Sequence, residues 1–373
     1  MLQLLPSVPY VDLALQHASI KAELMEAIEE VLDEGQFILG PQVLEFERQI
    51  AKIVGTKEAV ALNSGTDALI LALKSLGIGS GDEVITVPNS FVASASCIAL
   101  VGATPVFIDV SEDYNLNPAL LEEALTPRTK AILPVHLTGK PADMTPILQF
   151  AQKHNLFVVE DCAQAILAEY NGQQVGSFGI AGCFSLHPLK TLNACGDGGI
   201  LTTDDPALAS QVRLYRNLGL KTRENCTHWS SNSRLDTIQA AILLVKLRHL
   251  HRWTEQRRAH AVRYQRELAN IPGLRVPLEL AHEKCVYHTF VVLAERREAL
   301  RVFLQERGIG TAIHYPTPIH HQDVAHAYAH LKFPVTERLA EQILSLPIHQ
   351  DLKPEQQTSV IEAIHAFYSG FSR

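Results

Sequence analysis

Phe184-Ser185-Leu186-His187-Pro188-Leu189-Lys190-Thr191-Leu192-Asn193-Ala194-Cys195-Gly196-Asp197-Gly198-Gly199 joins a short apolar run to a glycine-rich turn, with one lysine between them. The apolar run predicts a buried strand, and Lys190 falls just past its carboxyl end. Ligands of α/β folds bind at that edge of the sheet, so an amine placed there reaches a bound group. A lysine amine condenses with a carbonyl when desolvation or nearby cations leave part of it unprotonated. A solitary loop lysine is ordinarily a solvated surface group. Lys190 therefore gains meaning only from what accompanies it.

Working outward, apolar strand-like runs recur at 59–62, 83–87, 105–110, 131–135 and 156–160, separated by helical patterns. Runs at 183–186 and 199–203 extend the series. Strands alternating with helices predict right-handed crossovers and a mostly parallel sheet covered on both faces. Before this series the sequence predicts an extended arm, a helix over 20–32, a turn at 35–41 and a helix over 43–54. After it, Leu235, Ile238, Ile242, Val245 and Trp253 recur at helical spacing, which predicts one long helix over 234–269. A strand at 287–293 and helices at 297–307 and 354–368 then predict a smaller α+β domain. The expected division is 1–250 for the arm and large α/β domain and 251–373 for the small domain, with the boundary inside the long helix.

The 373 residues are 47% hydrophobic and 19% charged, enough apolar surface for a sizeable core and too little charge for disorder. A net charge of -8 gives no electrostatic footprint for nucleic acid or an anionic membrane. The six cysteines (Cys97, Cys162, Cys183, Cys195, Cys226 and Cys285) form no C-x-x-C pair, and several lie in apolar runs. That usage predicts free thiols in a reducing compartment. The opening MLQLLPSVPYVDL lacks a basic segment followed by an apolar one, and no apolar run is long enough for a bilayer. The expectation is a cytoplasmic protein that engages neither membrane nor nucleic acid.

Asn63-Ser64-Gly65-Thr66-Asp67 stands where a strand hands over to a helix. Free N–H groups and the positive dipole end make such a place a phosphate site, with Gly65 allowing close approach and the backbone N–H of Asp67 as a donor. Ordinary helix capping by a serine or aspartate here explains the same residues. Gly77-Ile78-Gly79-Ser80-Gly81 lacks the G-x-G-x-x-G spacing and follows a helix rather than a strand, so it reads as a turn and disfavours a dinucleotide enzyme. Asp161, at the end of Val158-Val159-Glu160, is a carboxylate that needs a cation or a helix to cap. A pyridinium nitrogen is one such cation. Phe91 follows another strand and offers a flat face for a ring, or simply joins the core.

A phosphate cradle, a stacking aromatic, an acid for a ring nitrogen and a Schiff-base lysine are mutually consistent. The ordered set Ser64-Gly65-Thr66-Asp67, Glu160-Asp161-Cys162-Ala163-Gln164, Phe184-Ser185 through Lys190, Gly196-Asp197-Gly198-Gly199 and Asn232-Ser233-Arg234-Leu235-Asp236 resembles the DegT/DnrJ/EryC1/StrS family. The similarity runs from Val11-Asp12-Leu13 to Ser345-Leu346-Pro347-Ile348-His349. It implies a fold type I transferase dependent on pyridoxal 5'-phosphate, with a mostly parallel seven-stranded sheet and a smaller C-terminal α+β domain.

By this resemblance Lys190 is the catalytic Schiff-base lysine and Asp161 the partner of the pyridine nitrogen. Gln164 contacts the hydroxyl side of the ring, and Phe91 stacks on it. Gly65, Thr66, Asp67 and Ser185 hold the phosphate. Asn232 reaches the phosphate of a neighbouring subunit, which implies a homodimer, and His314 and Tyr315 lie near the substrate. The implied reaction moves an amino group from an amino acid, L-glutamate by family, to a nucleotide-linked keto sugar. A cyclitol ketone as acceptor and a non-catalytic regulator are the alternatives. After Ala163-Gln164-Ala165 the family usually shows His-Gly, where this chain has Ile166 and Leu167. His314, His320, His321, His326 and His330 also cluster in sequence, and His326 with His330 has the spacing of one helix face. No H-E-x-x-H pattern completes them and prolines interrupt the run, so no metal is expected.

Overall fold

A computed structural model describes residues 8–370. The first seven residues of the expected arm, and with them the start of MLQLLPSVPYVDL, lie outside the described residues. Strands β1 (Glu58–Leu62), β2 (Glu83–Thr86), β3 (Thr104–Phe107), β4 (Thr129–Ile132), β5 (Phe157–Asp161), β6 (Ala181–Ser185) and β7 (Gly199–Thr203) form one sheet. Their order is β1-β7-β6-β5-β4-β2-β3. Neighbours from β3 through β6 pair in parallel. β7 is antiparallel to both β6 and β1.

The connection explains that exception. Parallel neighbours need a long crossover, whereas residues 186–198 turn straight back from β6 into β7. The turn carrying Lys190 is thus fixed at the carboxyl end of β6.

The strands are buried along nearly their whole length, as a sheet covered on both faces requires. Alternate residues of β1 feed different cores. Val60 and Leu62 join Leu69, Leu73 and Ile98 from helices Gly65–Ser75 and Ala93–Leu100. Ala59 and Ala61 join Phe46, Ile50, Leu243 and Leu247 from helices Pro41–Val54 and Thr237–Leu268.

The long helix spans Thr237–Leu268 without a break. It starts later than the periodicity predicts because the preceding residues are held extended. Arg234 bridges Leu62, and the Ser233 carbonyl accepts from Asn63 N–H. Its far end packs Ala261, Tyr264 and Leu268 against Phe290, Leu300 and Ile364. There Leu274–Arg275, Phe290–Ala294 and Ile343–Leu346 form an antiparallel sheet, flanked by helices Arg297–Glu306 and Pro354–Ser369. The strand expected from Tyr287 begins only at Phe290, since Tyr287 sits at φ 49°, outside the extended region.

All six cysteines are free thiols. Among the described residues no helix is long and apolar enough to cross a membrane.

Candidate active site

A cavity of about 350 Å³ opens at the carboxyl ends of β5 and β6. Ser64, Gly65, Thr66, Phe91, Asp161, Gln164, Ser185 and Lys190 line it, joined by His314 and Tyr315 from beyond the long helix. Residues 250 positions apart in sequence therefore share one wall.

One end is main chain. Ser64 caps helix Gly65–Ser75, its Oγ accepting the Asp67 N–H at 3.0 Å. The N–H groups of Gly65 and Thr66 have no acceptor among the described residues, as the first turn of a helix dictates. A Cβ on Gly65 would lie 2.8 Å from Ser185 Cβ and 3.0 Å from its Cα. A Cβ on Gly199 would overlap the Ser64 carbonyl. These two glycines let the helix start seat directly on the ends of β6 and β7.

The other end is side chain. Asp161 Oδ1 accepts from Ala163 N–H at 3.1 Å and Oδ2 from Ser94 Oγ at 2.7 Å. Gln164 is fixed at both ends of its amide: Oε1 accepts from Thr138 N–H at 2.7 Å and Nε2 donates to Tyr315 Oη at 3.2 Å. The Tyr315 ring lies 5.8 Å from that of Phe91, which is 55% exposed at the rim.

Lys190 lines the same cavity. Its carbonyl accepts from Asn193 Nδ2 at 2.9 Å and its N–H reaches the His187 carbonyl at 2.8 Å, so the turn is pinned on both sides. Burial lowers the proton affinity of its amine and the charge of Asp161 partly opposes this. Burial and the Lys190 charge push His314 down to about 4, leaving it neutral, with Nδ1 2.9 Å from Ser345 Oγ. Burial, then the Asp161 charge, raise Tyr315 to about 12, so it keeps its proton.

Two sequence-predicted residues stand elsewhere. Asp67 does not line the cavity, and its N–H is taken by Ser64, the capping arrangement. Asn232 is exposed and outside the cavity of its own chain, in an isolated bridge with Asn217. The histidine cluster is divided, with His320 and His321 staying together. His314 belongs to the cavity, while His320 and His321 approach Glu337 at 3.4 and 3.9 Å. His326 and His330 do not share an α-helical face, because 323–328 is a kinked 3-10 segment that ends before His330.

Sequence reading missed His288, half-buried against the cavity with its enclosed Nδ1 unpartnered. It also missed Ser94, behind Asp161. Neither stands in a motif, since each is brought in by tertiary contact. Ile166 and Leu167 are buried with Val175 and Phe184 behind the site. Leu167 adopts φ 69°, a left-handed conformation that favours glycine.

The residues fit pyridoxal phosphate. Donors without acceptors meet where a Gly65 Cβ would intrude, and a desolvated amine and a buried carboxylate line the same cavity.

The model of the DegT/DnrJ/EryC1/StrS aminotransferase family matches residues 18–365. A "Pleiotropic regulatory protein" of Geobacillus stearothermophilus is 44% identical, over 98% of this chain and 100% of its own. The "dTDP-3-amino-3,4,6-trideoxy-alpha-D-glucose transaminase" of Streptomyces venezuelae is 43% identical, over 96% of each. A crystal structure of S. venezuelae DesV in complex with a ketimine intermediate superposes with TM-score 0.95 at 43% identity, covering 97% of this chain and 99% of that one. The chain belongs to the DegT/DnrJ/EryC1/StrS family and is a pyridoxal-phosphate-dependent aminotransferase of fold type I.

Proposed function

We propose that this aminotransferase moves an amino group from an amino acid, L-glutamate first among candidates, to the keto carbon of a nucleotide-linked deoxyhexose. The carrying observation is the single cavity that combines a phosphate-type helix start, a desolvated Lys190 and a buried Asp161. The sugar class rests on the name of the S. venezuelae transaminase. Pyridoxal phosphate, when bound, supplies a carbonyl that condenses with amines and a ring that takes up the electron pair left by a departing proton.

The chain's residues then divide the work. Gly65, Thr66 and Ser185 hold the phosphate, and Phe91, Gln164 and Tyr315 fix the ring plane. Asp161 keeps a proton on the ring nitrogen. Lys190 is the base that takes the donor's α-proton and returns it, its proton affinity lowered toward the working range. His314, neutral, and Tyr315, protonated, offer hydrogen bonds to the acceptor. Asn232 serves the partner's phosphate in a homodimer. Its exposure, beside Trp229 at 94% exposed and with Phe91 and Leu189 exposed at the rim, supports that reading. The regulatory name of the G. stearothermophilus relative favours a second role, as a regulator that would not depend on Lys190.

The test is spectroscopic. Wild type with pyridoxal phosphate should show a visible band that L-glutamate abolishes. Lys190→Ala should form no such band and lose at least about a thousandfold in turnover. dTDP- and UDP-linked 3-keto and 4-keto deoxyhexoses, with a cyclitol ketone as the competing acceptor, should then be screened. Faster turnover of the cyclitol would overturn the sugar assignment. Mixing Lys190→Ala with Asn232→Ala subunits should restore activity if Asn232 works across a dimer, and leave both inactive if it does not.

A further inference from the structure

Asp161 is held from behind by two serines that no motif marks. Ser94 Oγ lies 2.7 Å from Asp161 Oδ2, and Ser90 Oγ lies 2.7 Å from Ser94 Oγ. Ser94 is 0% exposed, Ser90 3% and Asp161 5%, so water does not substitute for these contacts.

Counting protons gives the chain a direction. A carboxylate only accepts, so the one hydrogen of Ser94 goes to Asp161. The hydrogen between the serines must then come from Ser90. The order Ser90→Ser94→Asp161 supplies Oδ2 with a buried donor that is itself oriented by a second hydroxyl. Ala163 N–H meets the other oxygen at 3.1 Å. Each oxygen thus has one donor behind it, which fixes the carboxylate plane and leaves lone pairs toward the cavity.

The serines also tie this acid to other walls of the site. Ser90 precedes Phe91 in the loop 88–91, and the Pro88 carbonyl accepts the Ile319 N–H at 2.9 Å. The loop that presents the aromatic rim, the acid at the cavity floor and the segment following Tyr315 are therefore one hydrogen-bonded unit.

We propose that Ser94, backed by Ser90, is a positioning residue that holds Asp161 aimed at the ring nitrogen of the cofactor. This rests on the assignment of Asp161 as the partner of that nitrogen. The dyad acts through Asp161 without touching the ring nitrogen itself.

The experiment uses the holoenzyme reconstituted with pyridoxal phosphate carrying 15N in the ring. The 15N chemical shift reports the proton on that nitrogen directly, separate from turnover. In wild type the shift should stay at its protonated value across neutral pH. Ser94→Ala should move it toward the unprotonated value and weaken cofactor affinity about tenfold, the loss of one charge-assisted hydrogen bond. Ser90→Ala should move it in the same direction by less, and Ser94→Thr, which keeps the hydroxyl, should restore it. Should Ser94→Ala not fold, Ser90→Ala decides, and an unmoved shift there overturns the proposal. A wild-type shift in folded Ser94→Ala, with Asp161→Asn displaced, also overturns it. An unmoved shift in Asp161→Asn would instead overturn the assignment of Asp161 itself.

Discussion

At the Ser64–Thr66 end of the cavity, the groups offered to a ligand are main-chain N–H groups whose direction is set by the start of a helix. At the Asp161 end they are side chains, each oriented by a partner far away in sequence: Ser94 for Asp161, Thr138 and Tyr315 for Gln164. The first end is specified by about five consecutive residues plus the absence of a Cβ. The second is specified by the whole fold. The two ends should therefore fail differently. Crowding should break the first, and loss of hydrogen-bond partners the second.

Gly65→Val is the severest test of the main-chain end. Its Cβ meets Ser185 main chain and side chain at 3.0 and 2.8 Å, so helix and strand must part. Overpacking of this kind costs about 1–3 kcal/mol, and the separation also displaces the phosphate donors. Titration with pyridoxal phosphate should show affinity down by at least about tenfold, with a lower Tm in the apoprotein. Unchanged affinity would mean that the phosphate is held elsewhere.

Gln164→Ala probes the other end without crowding. It leaves the Thr138 N–H without its acceptor and the Tyr315 hydroxyl without its donor. An orphaned donor costs about 1–3 kcal/mol, read by denaturant melts of the apoprotein. Affinity for the cofactor should fall by less than in Gly65→Val, because the phosphate donors stay in place. Equal losses in the two variants would erase the distinction between the ends.

The contrast between the ends is also a contrast in legibility. The alternation of strands and helices, the Ser64-Gly65-Thr66 turn and the Lys190 turn are local, and local periodicity and turn chemistry announce them. The antiparallel course of β7 was not announced, because Gly199–Thr203 reads as any buried strand and only the missing crossover fixes its direction. Ser94 reaches Asp161 across 67 positions, and the clamp on Gln164 joins it to residues 26 and 151 positions away, which no pattern in one segment encodes. Asp161 was legible as a carboxylate in need of a partner, but not how it is aimed. Asn232 lies outside the cavity of its own chain, so the role expected for it cannot be read from one subunit's fold.

A pH series separates the ends further, since the side-chain end holds the titrating groups. His314 is held near 4 in the fold against about 6.5 in an unfolded chain. Below pH 6.5 the unfolded state takes up a proton that the folded state refuses. Stability contributed by neutral His314 is thus complete above pH 6.5 and is lost as pH falls toward 4. The Tm of wild type should decline over that window and that of His314→Gln should decline less, by melts at fixed ionic strength. Identical slopes would show that His314 is solvated rather than enclosed.

Asp67 sharpens the comparison with the smallest expected effect. Resemblance places it among the phosphate ligands, yet its N–H is spent on Ser64 Oγ and its side chain does not line the cavity. Its carboxylate still sits in the first turn of a helix, where it favours the dipole by about 0.3–1 kcal/mol. Asp67→Ala should therefore lower the Tm slightly and leave cofactor affinity within about twofold of wild type. Ser64→Ala should cost more, about 1 kcal/mol for the lost cap, because it frees the Asp67 N–H and loosens the turn that presents the donors. If Asp67→Ala instead weakened binding as much as Gly65→Val, a side chain would be at work in the end of the cavity built from main chain.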